Sequence, residues 1–206
     1  MAELRFSFGT MGSGKSTLAL QVHHNLNRAG QHGLLLTRFD RLSGAVSSRL
    51  GVARPAIEVG PELDLVGLAC SVIDDVGGLG FLVCDETHFY TVSQADQLAD
   101  VVDDLDVEVY AFGLLTDFRG RLFPSSARLL ELADSRQELR VEARCWCNRP
   151  ATHNARLVDG RQVYEGDTVV VGDIGAEDEV TAPTAAAVTY ELRCRKHWRQ
   201  GLGHAG

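Results

Sequence analysis

No stretch of this 206-residue chain approaches the roughly 18 consecutive apolar residues that a bilayer-crossing helix needs, so no segment is expected to span a membrane. The opening residues Met1-Ala2-Glu3-Leu4-Arg5 lack a basic segment followed by an apolar one, so no secretory leader is expected and the predicted location is the cytoplasm. Lysine is nearly missing. Only Lys15 and Lys196 occur, and every other basic residue is Arg. With a net charge of −8 and only 7% aromatics, the chain lacks the clustered basic and stacking surface that nucleic-acid binding requires. Cysteine is sparse and odd in number (70, 84, 145, 147, 194), which in a reducing compartment argues against a disulfide framework. The base-reading N-K-x-D of a regulatory GTPase is absent, and the D-x-x-G at Asp117–Gly120 is a weak match by itself. There is no internal repeat.

What the chain does hold is ordinary globular material, 45% hydrophobic and 23% charged, enough for one full domain and a small appendage. Leu4–Phe8 reads as a buried strand, and Leu18, Val22 and Leu26 recur as one face of a helix that ends near Gly30. Leu34–Leu36, Phe81–Cys84 and Val107–Phe112 read as further strands. Helices are predicted from Gly60-Pro61-Glu62 to about Asp75, from a capping Ser93 to about Leu105, and from Ser125 or Ser126 to about Leu132. Alternation of this kind predicts an α/β fold with a mostly parallel sheet covered on both faces. From about residue 141 the texture changes to cysteines, turns and short β-like runs (Gln162–Tyr164, Val169–Val171). The predicted division is therefore 1–140 for the α/β domain and 141–206 for a small metal-stapled one. The segment from Gly172 to Ala187, rich in Gly, Ala, Thr and acidic residues, reads as a mobile loop.

Gly9-Thr10-Met11-Gly12-Ser13-Gly14-Lys15-Ser16 matches G-x-x-x-x-G-K-[ST] in full, between a predicted strand and a predicted helix. Glycines let successive N–H groups turn inward toward phosphate oxygens. Lys15 supplies a compact charge, Ser16 a hydroxyl for Mg²⁺, and the following helix its positive end. Phe81–Cys84 ends in Asp85 and Glu86, which suits a Mg²⁺-holding carboxylate followed by a general base. These motifs indicate an ATP-using enzyme. Taken alone they leave open a kinase of a small acceptor and an ATPase.

Cys145-Trp146-Cys147 and Cys194-Arg195-Lys196-His197 are two short turns with ligand side chains, separated by a hairpin-like stretch. A Cys3His set of Cys145, Cys147, Cys194 and His197 suits tetrahedral Zn²⁺ in a closed, structural site, with His153 as the spare ligand. Cys70 and Cys84 lie in apolar runs and read as small hydrophobes.

Taken together, these motifs resemble the zinc-containing thymidine kinases, bacterial members in particular. The resemblance runs through Gly9–Thr17, Asp40-Arg41, Val46–Arg49, Asp85-Glu86, Phe112–Leu114, Thr116–Gly120, Leu122–Pro124, the cysteine pairs, Glu165-Gly166 and Val169–Gly172. It implies a P-loop, RecA-like core and a zinc-ribbon-like second domain whose lasso, at about 165–190, folds over a nucleoside. Position by position it makes Glu86 the base for the 5′-hydroxyl and places Asp85 and His88 at the nucleotide. It puts Phe118 on the thymine ring, with Met11 and Leu114 lining the pocket. It also gives base recognition to the backbone of Val169, Val170, Val171 and Gly172, with Tyr190 nearby; Phe118 alternatively reads as a core aromatic. It implies ATP and thymidine as substrates, feedback by thymidine triphosphate, and a homotetramer. The chain departs from the family at His88, where a glutamine is commoner and where protonation near neutrality would add pH dependence. It departs again in the long insert between Gly172 and Tyr190.

Overall fold

A computed structural model describes residues 1–39, 44–48, 51–140, 142–168 and 188–201. The chain forms two compact units, one of Met1–Leu115 with Phe123–Arg140 and one of Thr116–Leu122 with Val141–Gly206. The short segment Thr116–Leu122 thus groups with the C-terminal residues rather than with the α/β sequence around it.

The larger unit is built on a six-stranded sheet. Its strands are β1 (Leu4–Phe8), β2 (Gly33–Thr37), β5 (Ile57–Glu58), β6 (Phe81–Cys84), β7 (Glu108–Gly113) and β8 (Ser135–Glu138), ordered β5-β2-β6-β7-β1-β8. Every pairing in it is parallel. A separate two-stranded ribbon pairs β3 (Ala45–Ser47) with β4 (Ala53–Pro55). Alternation along the strands explains why both faces are covered. Phe81 and Val83 of β6 and Phe112 of β7 face a cluster with Ala19 and Leu20 of helix α1 (Lys15–Arg28), whose Leu18, Val22 and Leu26 pack at its edge. Leu82, Cys84, Val109 and Ala111 face the other way, onto Leu65 and Ala69 of α2 (Leu65–Val76), Leu98 and Val101 of α3 (Val92–Leu105), and Leu129 of α4 (Pro124–Leu132).

The helix starts differ from expectation for local reasons. Residues 60–64 do not join α2, because Gln94 Nε2 donates to the carbonyls of Gly60 (2.8 Å) and Leu63 (3.1 Å) and Asp64 caps the helix by accepting from Val66 N. Helix α3 is capped by Thr91 rather than Ser93. Thr91 and Gln94 form a reciprocal capping box, at 3.1 and 3.0 Å. Helix α4 opens with Pro124 at its first position, and Ser126, expected as a cap candidate, is buried and donates to Leu114 O instead.

The smaller unit carries a three-stranded antiparallel sheet, β10 (Arg161–Val163), β9 (His153–Val158) and β11 (Val188–Arg193) in that order, followed by the short helix α5 (Arg195–Gln200). No helix among the described residues is long and apolar enough to cross a membrane. Asp40, Arg41, Arg49, the 169–172 backbone and the 172–187 loop lie outside the described residues.

Candidate active site

Strands β6, β7 and β1 are neighbours, and their carboxyl ends carry Asp85-Glu86, Gly113-Leu114 and the Gly9–Ser16 loop. Ligands bind at such ends in open parallel sheets, because the strand-to-helix turns there expose backbone amides. The loop is tied to β7 through Gly9 N donating to Gly113 O (3.4 Å) and closed on itself through Ser13 N donating to Thr10 O (3.2 Å). Gly12 and Gly14 hold φ of 74° and 79°, left-handed values that side chains resist. Gly9 is fixed by space, since a Cβ there would lie 2.5 Å from Ser13 Oγ and 2.7 Å from Leu139 O. Lys15 is buried, its ammonium donating to Thr10 O (2.8 Å) and Ser13 Oγ (3.5 Å). A cation stored against the loop's own carbonyl, at the start of a helix, makes this end of the sheet attractive to phosphate.

Asp85 is fully buried and its Oδ1 accepts from Glu86 N (3.0 Å). Glu86 has φ 53° and ψ 33°, a left-handed backbone at a non-glycine residue, while its side chain stays 31% exposed. Strain of this sort, roughly 1–3 kcal/mol, persists where the surroundings over-determine a useful geometry. The surroundings are visible in the next turn. Thr87 Oγ1 donates to Phe112 O (2.9 Å), and His88 is buried between the rings of Phe89 (4.0 Å) and Phe123 (4.7 Å).

His88 corrects one expectation. Burial, and then the nearby Lys15 ammonium, hold its pKa well below the usual 6.5, so the ring is neutral near pH 7 and adds no titration there. Its Nδ1 accepts from Leu114 N (3.2 Å), which puts the proton on Nε2. The Nδ1 lies 3.4 Å from Glu86 Oε2, and with the ring neutral this approach is not an ion pair. Met11 and Leu114 are half-buried.

Within the smaller unit, the ligand atoms of Cys145, Cys147, Cys194 and His197 all lie within 4.8 Å of one another. Cys147 Sγ and Cys194 Sγ are 3.8 Å apart, and Cys145 Sγ and His197 Nδ1 are 3.3 Å apart. A tetrahedron with the usual zinc bond lengths has S–S edges of about 3.8 Å and S–N edges of about 3.6 Å, so the four donors fit a zinc ion. Two turns bring them together. Asn148 N donates to Cys145 O (2.7 Å), and Cys194 sits at the end of β11 as the cap of α5. Trp146 stacks on the His197 ring at 4.0 Å, covering it. His153 is not in the cluster; its ring stacks on Trp198 at 4.6 Å. Cys70 and Cys84 are free thiols outside it, and burial pushes the Cys84 thiol up and out of reach of ionisation.

Phe118 is buried, and the Arg156 guanidinium sits 3.9 Å from its ring centroid. Its loop is locked by Asp117, whose Oδ1 accepts from the amides of Arg119 and Arg121, both at 2.9 Å. Asp117 therefore has a local, turn-forming role. Gly120 completes the turn at φ 75°, where a Cβ would lie 2.7 Å from Trp198. Tyr190, on β11, accepts at its hydroxyl from Arg156 Nε (3.0 Å). Arg156 was not singled out from the sequence. The signal was there as a lone Arg inside the apolar strand Ala155-Arg156-Leu157-Val158.

The thymidine kinase family model matches residues 2–198. The chain belongs to the thymidine kinase family. It is 51% identical to a curated thymidine kinase of Cutibacterium acnes, over 98% of this chain and 90% of the relative. It is 49% identical to the thymidine kinase of Streptomyces avermitilis, over 100% and 92%, and 41% identical to that of Ruegeria pomeroyi, over 100% and 98%. Family membership thus extends over both units, including the cysteine cluster and the Phe118 turn.

Proposed function

We propose that this protein transfers the γ-phosphoryl group of ATP to the 5′-hydroxyl of thymidine, and of deoxyuridine, giving the monophosphate for DNA-precursor salvage in the cytoplasm. The observation that carries the reading is the placing of the Gly9–Ser16 loop and Asp85-Glu86 at the carboxyl ends of β1 and β6, the two strands that flank β7, in a chain of this family. In this reading the loop amides and Lys15 cradle the β and γ phosphates and offset their charge. Ser16 and Asp85 offer a hydroxyl and a carboxylate, hard oxygen donors suited to Mg²⁺. When bound, that ion neutralises charge on the phosphates. Glu86 orients the 5′-hydroxyl and takes its proton as the new O–P bond forms and ADP leaves with the electrons of the broken bond. His88 is a poor rival for that proton, because burial and the Lys15 charge lower its pKa and its Nδ1 lone pair already accepts from Leu114 N.

Recognition of the base falls to Phe118, Met11, Leu114, Tyr190 and the 169–172 backbone. In this reading an adjacent C=O and N–H of that backbone would pair with N3–H and O4 of thymine, whereas the N4 amine of cytosine would set a donor against a donor. The Cys145, Cys147, Cys194 and His197 set holds a structural Zn²⁺. We further propose a homotetramer inhibited by thymidine triphosphate. Incubation with labelled ATP and a panel of nucleosides tests the reading. Thymidine and deoxyuridine should become labelled, with little ATP hydrolysis in their absence. Steady hydrolysis without an acceptor, or labelling of a different nucleoside only, would replace it with an ATPase or another kinase.

A further inference from the structure

Two arginines are buried in the small sheet, and they are buried on different terms. Arg193 is fully inaccessible, and its charge is matched: Nε and Nη2 donate to Glu191 Oε2 at 3.1 and 2.8 Å, and Nη1 donates to Gln162 Oε1. Arg156 is 4% exposed, yet no carboxylate among the described residues pairs with it. Removing a cation from water without a counter-charge is costly, so a purely structural Arg156 would be a poor choice beside the solution used for Arg193.

The groups that Arg156 does touch are informative. Its guanidinium covers the Phe118 ring at 3.9 Å and lies 5.5 Å from the Tyr190 ring. Its Nε donates to Tyr190 Oη at 3.0 Å and its Nη1 to the carbonyl of Asp167 at 2.6 Å. Its Nη2 is buried with no hydrogen-bond partner among the described residues. One planar, always-charged group therefore ties the Phe118 turn, strand β11 and the chain at Asp167 to strand β9. A planar fork can do this; an ammonium on a flexible stem cannot stack and donate in three fixed directions at once. Phe118 and Tyr190 are two of the side chains to which base recognition is assigned above.

We propose that Arg156 is a positioning residue for the nucleoside base, holding Phe118, Tyr190 and the Asp167 backbone in one fixed arrangement. The proposal rests on the thymidine kinase reading. Arg156 acts on binding of the acceptor and leaves the phosphate loop, and hence ATP, untouched.

The test compares wild type with Arg156→Met, which keeps the length of the stem, and Arg156→Lys, which keeps the charge. In the zinc-loaded full chain, Arg156→Met should raise the KM for thymidine roughly 10- to 100-fold, the worth of charge-assisted bonds lost together. KM for ATP should stay within about twofold, the scatter expected of an untouched site. Arg156→Lys should restore stability without restoring thymidine KM. Tyr190→Phe should raise thymidine KM by less, and its effect should shrink in an Arg156→Lys background, since the shared bond is already gone. An unchanged thymidine KM in folded Arg156→Lys, or equal rises in both KM values, overturns the proposal, and Arg156→Lys decides the matter if Arg156→Met does not fold. Wild type that labels no pyrimidine nucleoside overturns the functional reading itself, and this proposal with it.

Discussion

The larger unit buries two continuous apolar clusters, running from Leu4 and Phe6 through Leu82, Leu98 and Val109 on one face and through Leu35, Phe81 and Phe112 on the other. The smaller unit buries Asp117, Asn154, Arg156, Arg193 and His197 beside a few apolar side chains such as Phe118, Ala155 and Leu157. In the first, the driving force is area removed from water, and the buried polar groups sit at strand ends and helix starts, among them Lys15, Asp85, Gln94 and Ser126. In the second there is too little apolar area for a core, and cohesion must come from directional bonds and from the Cys3His cluster. The contrast implies that the chemistry of phosphate sits on a platform that is stable by itself. Recognition of the acceptor would then sit on a scaffold whose order depends on a metal and on a cation.

Stripping zinc should show that contrast at its largest. Structural zinc sites contribute about 10–16 kcal/mol near neutrality, more than a small sheet can replace. With a strong chelator, or in Cys145→Ser, amides of 142–168 and 188–201 should lose hydrogen-exchange protection while β1, β6 and β7 keep theirs. Simultaneous loss throughout the chain would break the distinction between the units. Glu86→Gln should give the opposite phenotype, an intact molecule with its chemistry removed. Turnover should fall about 10²–10⁴-fold, as for a lost general base. Zinc content and ATP affinity should be unchanged. Near-normal turnover would remove Glu86 from the base role.

The same contrast explains what could be read in the sequence. The phosphate loop, Asp85-Glu86 and the central strands are contiguous runs whose local pattern states their structure, because β2, β6 and β7 are apolar on both faces. The cysteine pairs were legible because ligand chemistry restricts residue type. Strand β8 was not legible: Ser135–Glu138 is exposed at every position and carries no hydrophobic pattern. It is placed by backbone pairing with β1 and by Asp134, which accepts from Leu4 N at 2.8 Å and donates to Leu4 O at 2.9 Å. The start of α2 was misread because Gln94, 30 residues downstream of Asp64, holds residues 60–63 in a turn. The Thr91–Gln94 box was present in the sequence and was passed over for Ser93. Arg156 is the clearest omission, since its importance lies in partners far along the chain, which no local pattern reports.

Leu98→Ala probes the larger unit alone. Leu98 of α3 is fully buried in the cluster that also holds Leu82, Val109 and Leu129, and truncating it should cost about 2–5 kcal/mol through lost transfer energy and a cavity. Denaturant unfolding should register that loss while zinc stoichiometry stays near one per chain. Zinc loss at a denaturant concentration that tracks the Leu98→Ala midpoint would show that the two units unfold together.

The smallest expected effect is at His88, where a titratable ring has been placed inside the apolar unit. Its folded pKa lies well below 6.5, through burial first and the Lys15 charge second. The unfolded chain therefore takes up the proton first as pH falls. Stability is fully present above about 6.5 and is lost on acidification from there toward the depressed folded pKa, with a slope of at most about 1.4 kcal/mol per pH unit. In His88→Gln that part of the acid slope should vanish. A glutamine Oε1 can accept from Leu114 N as His88 Nδ1 does, so stability near pH 7.5 should change by less than about 1 kcal/mol. Urea midpoints at pH 5.5 and 7.5 for both proteins supply the measurement. Equal midpoint differences in the two proteins would show that His88 is not held neutral. The buried polar turn after Glu86 would then tolerate charge in a way the apolar clusters around it do not.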